Sequence, residues 1–168
     1  MLEIINNLEP FIEDCYSEIG VREYSRMMKI SPPTASVMLK KFESEGLLKK
    51  REDKKYFLFR ANRESPALRD LSRIYWRRKM EKTTDYLNSE FHYPSIILFG
   101  SLAKLEAKGD SDMDIAILTN IEKKISMEKL ERKSGRKVQL FQFKSLSGAN
   151  KELKNSIMNG FLIQGELR

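Results

Sequence analysis

The sequence predicts an α+β fold in two parts joined by a long helix. Three observations carry this. The first 45 residues place apolar side chains at helical spacing, interrupted at Gly20 and again at Ser31-Pro32. A short, strongly charged hairpin pattern, LLKKREDKKYFLFR, follows over 47–60. The C-terminal half then alternates short apolar runs with helical stretches, as a small mixed sheet layered with helices does.

In chain order, 2–19 read as an amphipathic helix with Ile4, Ile5, Leu8, Phe11, Ile12 and Ile19 as candidate core. Pro10 lies inside it, where a kink or break is expected. Cys15 falls among its apolar positions and reads as a buried thiol. After the Gly20 turn, Val21–Met28 form a second short helix. Ser31 fits a helix N-cap and Pro32 the first helical position. The third helix runs to about residue 45, with Ala35, Met38, Leu39 and Phe42 facing the core. Thr34, Ser36, Lys40, Lys41 and Ser44 fall on its other side, and Gly46 ends it.

Two strands, 47–50 and 55–60, then flank a charged turn. Three helices and a basic hairpin make the winged helix-turn-helix pattern. Gly46-Leu47-Leu48 before such a hairpin resembles the bacterial and archaeal transcription-regulator versions of it. The resemblance implies a third helix in the major groove of duplex DNA and a hairpin along the backbone. Lys40, Lys41, Lys49, Lys50, Arg51, Lys54 and Lys55 would then neutralise phosphates. Ser31, Thr34 and Ser36, near the helix start, would lie nearest the bases. A packing or dimerisation module with solvated lysines is the other reading of residues 1–62.

The connecting helix occupies 63–92, opening at Ser65-Pro66 and running to about residue 90. Its apolar stripe, Leu68, Leu71, Tyr75, Trp76, Met80, Thr83 and Leu87, drifts around the axis. Its polar face carries Arg69, Arg73, Arg77, Arg78, Lys79 and Lys82. Between Lys40 and Lys82 stand 15 Lys and Arg against 7 Asp and Glu, so the chain's net charge of +7 is concentrated there. Such a stripe suits a polyanion, or simply a solvated face over an apolar stem.

His92-Tyr93-Pro94 punctuates the chain before its last part, 93–168. Ile96, Ile97, Leu98 and Phe99 form an apolar run that stops at Gly100, the pattern of a buried strand. Gly100 permits a sharp turn and leaves room for a phosphate. Ser101 can start a helix and offer a hydroxyl and free N–H groups to that phosphate. After ten intervening residues come Asp112 and Asp114, leading into Ile115–Leu118. Carboxylates at i and i+2 of a strand share a face and can reach one hard ion such as Mg²⁺. The chemistry suggested is metal-assisted nucleotidyl transfer. A helix over 126–133, a stop at Gly135, a strand over 138–143, a helix over Lys151–Met158 and an Asn159-Gly160 turn into Phe161 complete the part.

From Leu98 to Leu118 the chain resembles the minimal nucleotidyltransferases of the polymerase-β superfamily, whose motif is Gly-Ser, about ten residues, Asp-x-Asp. Gly100, Ser101, Ala103, Glu106, Ala107, Asp110, Ser111, Asp112 and Asp114 stand where that family commonly has them. Lys104 and Lys108 stand where it often has arginines, while Leu102 and Leu105 depart from its usual Arg and Gly. The resemblance extends over roughly 93–165, including the closing helix and short strand. It implies transfer of AMP from ATP with Mg²⁺ or Mn²⁺. Gly100 and Ser101 would bind the triphosphate, and Asp112 and Asp114 would be the catalytic metal ligands. It also implies an acceptor on a partner of the HEPN type, on which such proteins often act as antitoxins. The family usually supplies a third carboxylate from the next strand; here that position is Gln139. Two carboxylates can still hold one triphosphate-bound ion, but a second metal that activates the acceptor is not provided for. Two functions therefore stay open. One is a nucleotidyltransferase with a DNA-binding domain. The other is a DNA-binding regulator whose degenerate C-terminal domain senses nucleotide or pairs subunits into a homodimer.

Composition narrows the rest. His92 is the only histidine, so neither a His-based metal cluster nor a Ser-His triad is expected. A single cysteine excludes an internal disulfide and fits a reducing compartment. No membrane-spanning run and no signal-peptide pattern is seen, so a cytoplasmic protein with no membrane partner is expected.

Overall fold

A computed structural model describes residues 2–54 and 56–166 of the chain. These fall into two compact units, Met1–Ser72 with Leu105–Gly109, and Arg73–Lys104 with Asp110–Arg168.

The N-terminal unit contains α1 (Leu2–Glu13), β1 (Ile19–Gly20), α2 (Val21–Met28), α3 (Pro32–Ser44), β2 (Leu48–Asp53), β3 (Tyr56–Ala61) and the start of α4 (Pro66–Lys79). The helical spacing places Ile5, Leu8, Phe11 and Ile12 in the core as expected. The first helix is shorter than its periodicity suggests. Asp14 Oδ1 accepts the backbone N–H groups of Tyr16 and Ser17, at 3.0 and 3.1 Å, and turns the chain out of the helix. Ile19 then joins a sheet: it pairs with Phe59 and Gly20 with Leu58, giving an antiparallel order β1-β3-β2. Pro10 does not end α1. At α3, Ser31 Oγ accepts the Thr34 N–H at 3.3 Å and Pro32 occupies the first turn. Ala35, Leu39 and Phe42 are buried, and Gly46 takes the left-handed conformation after the helix (φ +71°).

The expected single connecting helix is two, α4 and α5 (Glu81–Phe91), parted at Met80, whose ψ of 0° is not helical. No Pro or Gly marks this point. Hydrogen bonds continue across it, from the Met80 N–H to Trp76 O (2.9 Å) and from the Thr84 N–H to Met80 O (2.7 Å). The break takes up the drift of the apolar stripe. Trp76 and Met80 before it, and Thr83, Leu87 and Phe91 after it, are all buried.

The C-terminal unit is built on a four-stranded mixed sheet with order β6-β5-β4-β7. β4 is Ser95–Phe99, β5 Met113–Leu118, β6 Val138–Phe143 and β7 Phe161–Gln164. β4 runs antiparallel to β5 and β7, and β5 parallel to β6. Ile97, Phe99 and Ala116 face a cluster that includes Leu146 and Ile157, the latter on α8 (Lys151–Met158). Ile96, Leu98, Ile115 and Ile117 alternate to the other face and are buried as well. Burial on both faces is why these strands read as unbroken apolar runs. The remaining helices are α6 (Gly100–Ala103) and α7 (Met127–Ser134), the latter capped by Ser126 and stopped by Gly135. Among the described residues no helix is long and apolar enough to cross a membrane.

Candidate active site

Every residue of this site lies in the C-terminal unit. β4 delivers the chain to Gly100, and β5 runs beside it with Asp114 paired opposite Phe99. That register sets the Asp114 carboxylate against Gly100. A Cβ at Gly100 would stand 2.0 Å from Asp114 Oδ2, and Gly100 also has φ +73°. Glycine is thus required both by the backbone turn and by the approach of the carboxylate. Ser101 follows in α6, a single turn whose closing bond runs from the Lys104 N–H to Ser101 O at 3.2 Å. The helix begins at Gly100, so Ser101 does not cap it as expected; it is half-buried in the first turn.

Asp114 is the second residue of β5, whereas Asp112 lies just before the strand. The two carboxylates nonetheless act on each other. Burial, and then the charge of Asp112, raise the Asp114 carboxyl above the ordinary range. Two apposed carboxylates, both half-buried, suit a hard divalent cation. Gln139, on β6, is in register with Asp114, and its Nε2 donates to Asp112 Oδ2 at 3.0 Å. The strand alignment read from the sequence therefore places Gln139 beside both aspartates. An amide N–H there donates to an Asp112 oxygen, which an ionised third carboxylate could not do. Among the described residues no group of three or more Asp, Glu, His or Cys side chains is placed to hold a metal. The donor set is two carboxylates, with Ser101 one residue beyond the glycine on which Asp114 packs.

Sequence reasoning missed Arg136. Its Nη1 donates to Ser111 O at 2.9 Å, and its guanidinium lies 5.4 Å from the centre of the buried Trp76 ring. It anchors the turn that presents Asp112. The only local sign was a basic pair before an apolar strand, which points nowhere in particular.

The residues expected to meet DNA lie in the N-terminal unit. Ser31 and Thr34 spend their hydroxyls on the α3 cap, with the two oxygens 2.8 Å apart. Ser36 is half-buried and Lys40 exposed. Lys41 lies 3.9 Å from Glu45, Lys49 2.5 Å from Glu64, and Lys50 3.9 Å from Glu43. Arg51 grips Glu18 with two hydrogen bonds, of 3.1 and 2.5 Å. The hydrogen bonds from Arg51 and Lys49 hold the Glu18 and Glu64 carboxyls below the usual range. Lys54 sits at the hairpin turn with φ +59°, and Lys55 lies outside the described residues. Much of the hairpin's positive charge is therefore matched by acids that the sequence left unassigned. On α4, Arg77 Nη2 donates to Leu162 O at 2.8 Å and Arg73 lies 6.0 Å from the Phe161 ring centre, so part of that basic face serves packing.

A family model described as polymerase beta, nucleotidyltransferase, matches residues 81–165, a span that takes in α5 and the whole four-stranded sheet. No curated protein and no solved structure matches the chain.

Proposed function

The chain belongs to the polymerase beta nucleotidyltransferase family, and from that premise we propose that it transfers AMP from ATP to an acceptor hydroxyl with a single divalent cation. The observation that carries this reading is the Asp114 carboxylate packed against Gly100 with Asp112 acting on it from the adjoining turn. Asp112 and Asp114 would hold Mg²⁺ or Mn²⁺, which supplies charge neutralisation for the triphosphate. Gly100 and Ser101 would bind the phosphates through N–H groups and a hydroxyl. The acceptor oxygen attacks the α-phosphorus, the bond to pyrophosphate breaks, and the acceptor proton passes to solvent. Gln139 cannot take that proton, so transfer is slow unless the acceptor brings its own base. A protein acceptor of the HEPN type and an RNA end are the two classes to try. A buried cysteine and the absence of a spanning helix among the described residues fit a cytoplasmic setting.

The test is incorporation of label from α-³²P ATP into protein or RNA of a host extract, by wild type and by Asp112→Asn. Label that depends on Asp112 supports transfer. Tight Mg²⁺–ATP binding with no label in any acceptor supports a second reading, which the Gln139 amide favours. In it the domain senses nucleotide, and the N-terminal unit, read as a winged helix-turn-helix from its three helices and antiparallel sheet, binds duplex DNA.

A further inference from the structure

The two aspartates of the site are held by different means. Asp114 lies inside β5, paired with Phe99 and packed on Gly100. Asp112 lies one residue before that strand, whose pairing with β6 begins at Met113 and Val138. Its place is set from β6 and the turn before it, all within the C-terminal unit. The Met113 N–H donates to Lys137 O at 2.8 Å, which ties the peptide plane after Asp112. Arg136 Nη1 donates to Ser111 O at 2.9 Å, which ties the plane before it. A residue between two tied peptide planes keeps little freedom in φ and ψ, the only soft dihedrals of the backbone. Gln139 then holds the carboxylate itself, by its bond to Asp112 Oδ2.

Arg136 is in turn built to point one way. Ser134, 2% exposed, folds its hydroxyl onto the Arg136 backbone, accepting the N–H at 3.2 Å and lying 2.8 Å from the carbonyl oxygen. The guanidinium lies 5.4 Å from the centre of the Trp76 ring. Trp76 is the chain's single tryptophan and is fully buried, and its indole N–H has no hydrogen-bond partner among the described residues. What Trp76 offers here is its ring. A guanidinium is planar: it stacks by its face and donates by its edge, so the ring aims the N–H at Ser111. Lysine has no such plane.

We propose that Arg136, seated on Trp76, is the positioning residue of the metal pair: through the Ser111 carbonyl it holds Asp112 against Asp114. The inference rests on the reading of the two aspartates as metal ligands. Its sign sets it apart from a simple effect of charge. A guanidinium one residue from Asp112 repels a bound cation, so removing it should by charge alone tighten the metal. Loss of position weakens the metal instead.

The probe is Mn²⁺ alone, titrated into the full chain and followed by electron paramagnetic resonance of the free ion. Hydrogen exchange of the peptide spanning 110–114 is read beside it. The variants are Arg136→Ala, Arg136→Lys, Asp112→Asn and Arg132→Ala, the last at an exposed arginine of α7. Arg136→Ala should weaken Mn²⁺ by about 5- to 10-fold and speed exchange over 110–114, while exchange over β4 stays unchanged. Arg136→Lys keeps the charge without the plane and should weaken Mn²⁺ by about 2- to 3-fold; it carries the test if the alanine variant does not fold. Arg132→Ala removes the same charge from the surface and should change Mn²⁺ affinity by less than about twofold. Wild type that binds no Mn²⁺, or binds it no better than Asp112→Asn, overturns the metal pair and this inference together. Binding that Asp112→Asn removes but that the Arg136 variants leave intact or tighten, or that Arg132→Ala weakens as much, overturns the inference alone.

Discussion

Gly100→Ala is the sharpest perturbation of the site, because its cost separates into two parts. The first is backbone: at φ +73° an alanine loses about 1–2 kcal/mol. The second is the meeting with Asp114, whose Oδ2 would lie 2.0 Å and Cγ 3.0 Å from the new methyl. The carboxylate is the free end of a side chain, so it swings aside at about 0.5–1.5 kcal/mol for leaving its rotamer. The total is about 1.5–3.5 kcal/mol. Gly135 supplies the control. It has the same φ of +73° with nothing within 4 Å of its would-be Cβ, so Gly135→Ala should lose only the backbone part. The assay is denaturant unfolding of Gly100→Ala, Gly135→Ala, Asp114→Ala and the Gly100/Asp114 double variant. In the Asp114→Ala background only the Cβ at position 114, 3.3 Å from the new methyl, remains, and Gly100→Ala should cost no more than Gly135→Ala. The coupling between positions 100 and 114 is then about 1 kcal/mol. Gly100→Ala should also abolish Mg²⁺-dependent ATP binding, because the displaced carboxylate no longer faces Asp112. Zero coupling, with ATP binding retained, would refute the placement of Asp114 on Gly100.

The other expectations concern charge. Asp114 is raised by burial and by Asp112, so its contribution to stability is present below the ordinary carboxylate range and lost as pH rises through its raised value. Asp114→Asn should therefore raise the metal-free melting temperature at pH 7 and remove that slope, while losing Mg²⁺–ATP binding. A variant less stable than wild type at pH 7 without metal would contradict the apposed pair. Gln139→Asp exchanges the hydrogen bond to Asp112 for a third negative charge, so the metal-free protein should lose stability and Mn²⁺ affinity should rise. Any transferase activity should increase, on a scale of about 2–4 kcal/mol for one electrostatic group; a folded variant with unchanged metal affinity rules this out. For DNA, Glu43→Gln with Glu64→Gln frees Lys50 and Lys49 and should tighten duplex binding at low salt. Replacing Lys49, Lys50 and Lys54 with Ala should flatten the salt dependence by up to about 0.9 log unit per lost contact. A wild type without salt-sensitive binding would make the N-terminal unit a protein-interaction module.

What the sequence by itself determined is local. Ile96 to Phe99 and Ile115 to Ile117 announce strands because burial on both faces removes every polar residue from the run. Ser31-Pro32 and Gly46 bracket α3 because a cap, a fixed φ and a left-handed turn are each the property of one residue. The spacing of Gly100 and Ser101 from Asp112 and Asp114 was legible for the same reason, and so was Gln139, since parallel pairing carries it to Asp114. What only the tertiary structure decided depends on partners far along the chain. Ile19 leaves its helical pattern because Phe59 offers it a sheet edge, and Met80 breaks a helix that nothing nearby interrupts. Lysines read as free for phosphate meet Glu43 and Glu64, and Arg51 meets Glu18, because the fold brings those acids across. The residence of Leu105–Gly109 in the N-terminal unit was beyond any local signal. It is set by hydrogen bonds with Arg63, Asp14 and Cys15, which lie some 40 to 95 positions earlier in the chain, and periodicity carries no information over such distances.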